Sequence, residues 1–122
     1  MPHLLVEYSA NLNPDPQALL TALNDALIES GHFVEFDIKT RLFPVEHFLI
    51  GNQDQRAFVH ACLKLMPGRT LEDRADLAQR LSQTVAQQFS QVTTLHIQFS
   101  AEVLELHAAT YSKQFSSDVN TV

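Results

Sequence analysis

The chain has 122 residues, the size of one domain, and at 45% hydrophobic it is too apolar to stay an unfolded coil. Its formal charge is −6, from 14 acidic against 8 basic side chains, and the basic ones form no Lys/Arg run. A nucleic-acid binder needs a basic face for the phosphates, so that class is excluded. No stretch reaches the roughly 18 to 20 unbroken apolar residues of a membrane span. The start lacks the basic n-region and small-residue cleavage site of a secretory signal, and the single cysteine, Cys62, has no internal disulfide partner. A cytoplasmic protein is expected.

Residues 3–8 alternate as a strand, with Leu4, Val6 and Tyr8 on one face and His3, Leu5 and Glu7 on the other. Asp15-Pro16 reads as an N-cap followed by proline at the first helical position, where its missing N–H costs nothing. Leu19, Leu20, Leu23, Ala26 and Leu27 then recur at helical spacing up to Gly31, a residue suited to a left-handed helix end. Asp37 to Phe43 alternates again, with Lys39 and Arg41 on the face opposite Ile38, Thr40 and Leu42. A short apolar piece, Val45 to Ile50, leads into the turn Gly51-Asn52-Gln53-Asp54.

Ala57 to Leu65 is a third strand, closed by Pro67-Gly68. Thr70-Leu71-Glu72-Asp73 predicts a capping box, and Leu77, Leu81, Val85 and Phe89 predict a second amphipathic helix. A final strand is expected over Thr94 to Ser100 and a short helix over Glu102 to Ala109. Ser112 to Val122 is polar enough to be extended unless a partner surface holds it.

The order strand–helix–strand occurs twice, at an offset of roughly 55 residues. Each half fits one βαβ unit with parallel strands and a right-handed crossover. Two units give an α+β domain over 1–122: a four-stranded sheet with both helices on one face, pseudo-repeats at about 2–50 and 57–107, and a tail at 108–122. The other sheet face is left uncovered. Parallel strands are normally covered on both faces, so a homo-oligomer is expected.

Three places offer chemistry. A proline in second position permits removal of Met1, which would leave a rigid secondary amine at the head of a core strand. Desolvation or neighbouring cations would move such an amine toward neutral pH, where a general base works best. Lys39 and Arg41 share a strand face, either as a solvated edge or as a carboxylate clamp. Arg69 precedes the second helix, as a loop or cap contact or as an anion ligand near a positive helix end. His60, inside a strand, reads as a satisfied structural histidine, and Cys62 as a small buried hydrophobe. Phe36, Phe43, Phe48 and Phe58 read as core or subunit contacts. His3, His32, His47, His96 and His107 show no zinc-type spacing.

The run Met1-Pro2-His3-Leu4-Leu5-Val6-Glu7-Tyr8 resembles the start of the 5-carboxymethyl-2-hydroxymuconate Δ-isomerases of the tautomerase superfamily. Ile38-Lys39-Thr40-Arg41 is similar to that family's Ile-Arg-Ser-Arg strand. Ala57-Phe58-Val59-His60, Leu63-Lys64 and Gly68-Arg69-Thr70 resemble its Ala-Phe-Val-His…Leu-Lys…Gly-Arg-Ser segment. Glu105-Leu106-His107 and Lys113-Gln114 resemble its C-terminal stretch, although Phe115-Ser116-Ser117-Asp118 stands where the family usually has Asn-Asn-Val-His.

The resemblance implies a tautomerase-like double βαβ protomer, with sheets packed in a homotrimer. It implies a cofactor-free, metal-free isomerase that moves a proton in a small unsaturated dicarboxylate. Pro2 would be the catalytic acid and base. Lys39 and Arg41 occupy the positions of the two strand arginines and Arg69 that of the loop arginine, so these three would bind the anionic substrate. Two alternatives stand beside this reading, the first favoured by Lys39, which lacks the bidentate fork of arginine, and the second by a retained Met1. One is a tautomerase of other specificity, acting on a phenylpyruvate-like enol or a haloacrylate. The other is a non-catalytic trimeric interaction module.

Overall fold

A computed structural model describes residues 1–116. The elements run β1 (His3–Ser9), α1 (Pro16–Glu29), a 3₁₀ turn (Glu35–Asp37), β2 (Lys39–Val45), β3 (Arg56–Leu65), α2 (Leu71–Gln88), β4 (His96–Glu105) and a second 3₁₀ turn (Ala108–Thr110). The sheet order is β2-β1-β3-β4. β1 runs parallel to β2 and β3 parallel to β4, while β1 and β3 are antiparallel. Two βαβ units therefore join edge to edge.

Strand alternation divides the sheet into two faces. Leu4 and Val6 on β1 and Ala57, Val59, Ala61, Leu63 and Leu65 on β3 are buried under the helices. Leu19, Leu23 and Leu27 of α1 and Leu77, Leu81 and Val85 of α2 complete this core. Asp15 caps α1 by accepting from the backbone N–H of Gln17 and Ala18, and Thr70 caps α2 by accepting from that of Asp73. Gly31 ends the first helical segment at φ 79°, a left-handed conformation that glycine adopts at no steric cost. No helix among the described residues is long and apolar enough to cross a membrane.

Four expectations are corrected. The second strand starts at Lys39, not Asp37, because the Ile38 N–H bonds back to the Glu35 carbonyl and closes a 3₁₀ turn. It also continues through Pro44, which an edge strand tolerates because one row of its N–H groups has no partner strand. The helix expected over Glu102 to Ala109 is absent. β3 is long enough to pair β4 as far as Glu105, the Leu106 N–H then bonds the Leu65 carbonyl at 2.7 Å, and only Ala108–Thr110 turns. The third correction concerns Cys62, which is half-buried on the helix-free face. The fourth concerns only the core reading of Phe36, Phe43, Phe48 and Phe58, since a side chain exposed in one protomer can still meet a neighbouring subunit. Phe36 and Phe43 are exposed, Phe58 meets Phe48 edge-on outside the buried cluster, and the aromatic part of the core comes from Phe89 with Tyr8, Phe33 and Phe99. The end of the C-terminal stretch, 117–122, lies outside the described residues.

Candidate active site

Antiparallel pairing of β1 with β3 sets the head of β1 beside the C-terminal end of β3, with His3 opposite Lys64. Parallel pairing sets the head of β2 on its other side, with His3 opposite Lys39. Residues far apart in sequence thus meet at one end of the sheet: the N-terminus, Lys39 and Arg41, the loop carrying Arg69, and the segment that follows β4.

Pro2 is fully buried there, and its carbonyl accepts the Lys39 backbone N–H at 3.2 Å. With Met1 attached, the nitrogen of Pro2 is an amide, and the basic amine belongs to Met1. Burial comes first among the influences on that amine, followed by the hydrogen bond and charge of Lys39 and the charge of Lys113. Together they pull it from its ordinary 8.0 down to about 6, against an opposing contribution from Asp37. This end of the molecule is therefore built to keep an amine unprotonated near neutral pH.

Asp37 organises the cations around the amine. Its carbonyl accepts from Lys39 Nζ at 2.6 Å and its carboxylate pairs with Lys113 Nζ at 3.2 Å. Burial works to raise the Asp37 carboxyl, but Lys113, the terminal amine and Lys39 outweigh it and hold it below its ordinary value. Arg41 stands on the same open face, and its Nη1 lies 3.2 Å from His3 Nδ1. Tyr111 approaches the other nitrogen of that ring at 3.4 Å.

Arg69 makes its own contacts with the segment after α1. Its Nη2 donates to the His32 carbonyl at 2.8 Å and its guanidinium lies 4.8 Å over the ring of Phe33. Of the four residues singled out in the sequence, Pro2 and Lys39 are joined by a backbone hydrogen bond, Arg41 contacts the neighbouring His3, and Arg69, in the loop that joins β3 to α2, bonds the His32 carbonyl.

Asp37, Tyr111 and Lys113 were not among the site residues expected. Lys113 carried a signal, as part of the C-terminal resemblance. Asp37 and Tyr111 carried none, because only the return of the chain after β4 gives them their neighbours. Elsewhere on the open face, His60 has both ring nitrogens engaged, by Ser100 Oγ at 2.7 Å and by a Glu102 carboxylate oxygen at 2.5 Å, as a structural histidine should. A shallow depression of about 490 Å³ beside it is lined by Leu5, Phe43, Cys62, Lys64 and Leu104 among others.

A double βαβ sheet with one bare face and a cation-flanked amino terminus defines a tautomerase-type isomerase fold. The family model for 5-carboxymethyl-2-hydroxymuconate isomerase matches residues 2–117, and the chain belongs to that family of isomerases. It is 30% identical over 118 residues to a 5-carboxymethyl-2-hydroxymuconate Delta-isomerase of Escherichia coli, covering 93% of this chain and 94% of the relative. The crystal structure of a 5-carboxymethyl-2-hydroxymuconate isomerase from Deinococcus radiodurans R1 superposes with a TM-score of 0.84 at 27% identity, covering 93% of this chain and 88% of that one. A fused 4-OT protein described as a symmetric trimer shares the fold with a TM-score of 0.65 at 22% identity, covering 85% and 83% of the two chains.

Proposed function

We propose that the protein is a cofactor-free tautomerase that uses Pro2 as its general acid and base once Met1 is removed. The substrate class is a small unsaturated dicarboxylate such as 5-carboxymethyl-2-hydroxymuconate. The observation that carries this reading is the placement of Pro2: buried at the head of β1, fixed by the Lys39 backbone N–H on its carbonyl, in a site where burial, Lys39 and Lys113 lower the pKa of the adjoining Met1 amine. Loss of Met1 moves that amine one residue inward, to a fully buried ring whose place is fixed by β-pairing. A secondary amine there takes a proton from one end of a conjugated dienol and returns it to a carbon at the other end. Lys39 and Arg41 would hold a carboxylate and the enolate charge that develops during the transfer, an electrostatic role of the oxyanion-hole kind.

The protein acts as a homotrimer in this reading. The helix-free sheet face carries Leu5, Phe43 and Leu104, of which Phe43 is 43% and Leu104 44% exposed in the isolated protomer. Covering such a face is a direct hydrophobic gain, and a relative of the same fold is a symmetric trimer.

Lys39 favours a second reading, a tautomerase of shifted specificity. Its Nζ is engaged by the Asp37 carbonyl, so it offers a substrate a point charge and no planar fork.

Two measurements test the proposal. Intact mass of the protein from its own cell should be lower by one methionine. Pro2→Ala should lower kcat/KM for the dienol by roughly 10²- to 10⁴-fold, the usual contribution of a positioned general base. Retained Met1, or full activity in Pro2→Ala, overturns the mechanism, and a panel of dicarboxylate and monocarboxylate enols separates the two specificities.

A further inference from the structure

Among the described residues, the His3 side chain links Arg41 to the chain segment following β4. It points to the helix-free face, and its Nδ1 lies 3.2 Å from Arg41 Nη1. A guanidinium has donors and no acceptor, so this nitrogen of His3 must be the unprotonated one. The ring proton then sits on Nε2, 3.4 Å from the Tyr111 hydroxyl, which accepts it. The Tyr111 ring meets the imidazole edge-on, with centroids 6.2 Å apart at 66°. Geometry alone thus selects one neutral tautomer, braced on both sides.

The surroundings oppose any other state. Lys39 and Arg41 face His3 from β2, Lys64 is its partner on β3, and the terminal amine and Lys113 lie at the head of the strand. Cys62, on β3, is a neutral thiol whose pKa burial and Glu102 raise. Asp37 is the acid at this end, and Lys113 already pairs with it. Among the described residues, Arg41 has no carboxylate partner, and His3 uses one of its five N–H donors. The rest of the fork remains for a ligand.

We propose that His3 is a positioning residue: as a neutral imidazole seated by Tyr111, it holds the Arg41 guanidinium in the orientation that receives a substrate carboxylate. The inference rests on the reading of Arg41 as a carboxylate ligand and adds a residue and a pH dependence to it. Protonation of His3 removes the acceptor and adds a positive charge to a crowd of them, so the clamp loosens in acid. Burial first, and then Arg41 and Lys39, hold the His3 pKa below its ordinary 6.5, which keeps the neutral form in place at neutral pH. The C-terminal segment, through Tyr111, becomes part of what sets substrate affinity.

The test compares His3→Ala, His3→Gln, Tyr111→Phe and Arg41→Ala, assayed with 5-carboxymethyl-2-hydroxymuconate on the full chain. His3→Ala should raise KM roughly 5- to 20-fold with kcat changed less than about twofold, since one hydrogen bond to a charged group is lost. His3→Gln, which keeps an acceptor, should recover most of the affinity and abolish the rise of KM in acid, and Tyr111→Phe should give a smaller rise. A KM that rises in Arg41→Ala but not in His3→Ala overturns this proposal alone. A KM unchanged in Arg41→Ala overturns the carboxylate reading and the proposal with it. Imidazole ¹⁵N shifts of the unaltered protein give a readout independent of activity and of variant folding: the Nε2–H tautomer is expected, and the Nδ1–H tautomer overturns the inference.

Discussion

The Lys39 backbone N–H donates to the Pro2 carbonyl at 3.2 Å, the bond that opens the parallel ladder between β1 and β2. It fixes the N-terminus by backbone geometry and places the Lys39 side chain beside the terminal amine. An amine in this position differs from one on a frayed end: it is partly desolvated, and it has cations for neighbours.

The first prediction concerns that amine. In protein that retains Met1, it should titrate near pH 6, where an ordinary terminus titrates near 8.0. The sign for stability follows from linkage: the unfolded chain holds this proton more tightly, so stability falls as pH drops from about 8 through 6. Lys39→Met should raise the amine pKa. Reaction rate with an amine-acylating reagent as a function of pH measures it, and an unshifted value near 8 refutes the assignment.

Asp37→Asn should move the same pKa further down, because the carboxylate opposes burial and the two lysines and raises it. The pair with Lys113 is partly exposed on both sides, so its loss should cost at most about 1 kcal/mol of stability. A large drop in Tm would show that Asp37 has a structural role beyond this pair.

Lys39→Arg restores the planar fork found in the family's strand. It should lower KM for dicarboxylates more than for monocarboxylates and leave kcat close to its original value, since Lys39 contributes charge without bidentate geometry. Steady-state kinetics on paired substrates decide this, and an equal change for both classes counts against a carboxylate role at position 39.

Asp15→Ala offers a contrast at the far end of α1. It removes the acceptor for the Gln17 and Ala18 N–H groups and should cost about 1 kcal/mol, read by urea denaturation. Because the cap touches none of the groups around Pro2, kcat/KM should stay as it was.

The last prediction addresses assembly. Phe43→Glu and Leu104→Glu place charge on the helix-free face without touching the helix-side core. If that face is the trimer interface, sedimentation of the double variant should show monomer, because burying an unpaired carboxylate is costly. An unchanged sedimentation coefficient places the interface elsewhere.

The amino-acid sequence by itself determined the elements whose signals are local. Asp15-Pro16 and Thr70 mark helix starts because a side-chain oxygen there satisfies otherwise unpaired N–H groups. The alternation of Leu4 and Val6, and of Val59, Ala61 and Leu63, set which face lies under the helices, because side chains of a strand alternate strictly. The resemblance of the residues around Pro2, Lys39, Arg41 and Arg69 indicated the family. Strand ends were less legible: Glu102–Glu105 reads as well as a helix as it does as a strand, and pairing with Cys62–Leu65 of β3 decides. Tertiary structure alone decided the composition of the site. It put Asp37 between two lysines, turned His3 toward Arg41, and brought Tyr111 and Lys113 back from the far end of the chain. It also left Arg69 with His32 and Phe33. The opening charge of −6 is a sum over the whole chain, and only the folded molecule shows that Lys39 and Lys113 act together on one amine. The physical reason is that β-pairing sets distances between residues that local sequence does not relate, and electrostatic effects on an amine depend on those distances.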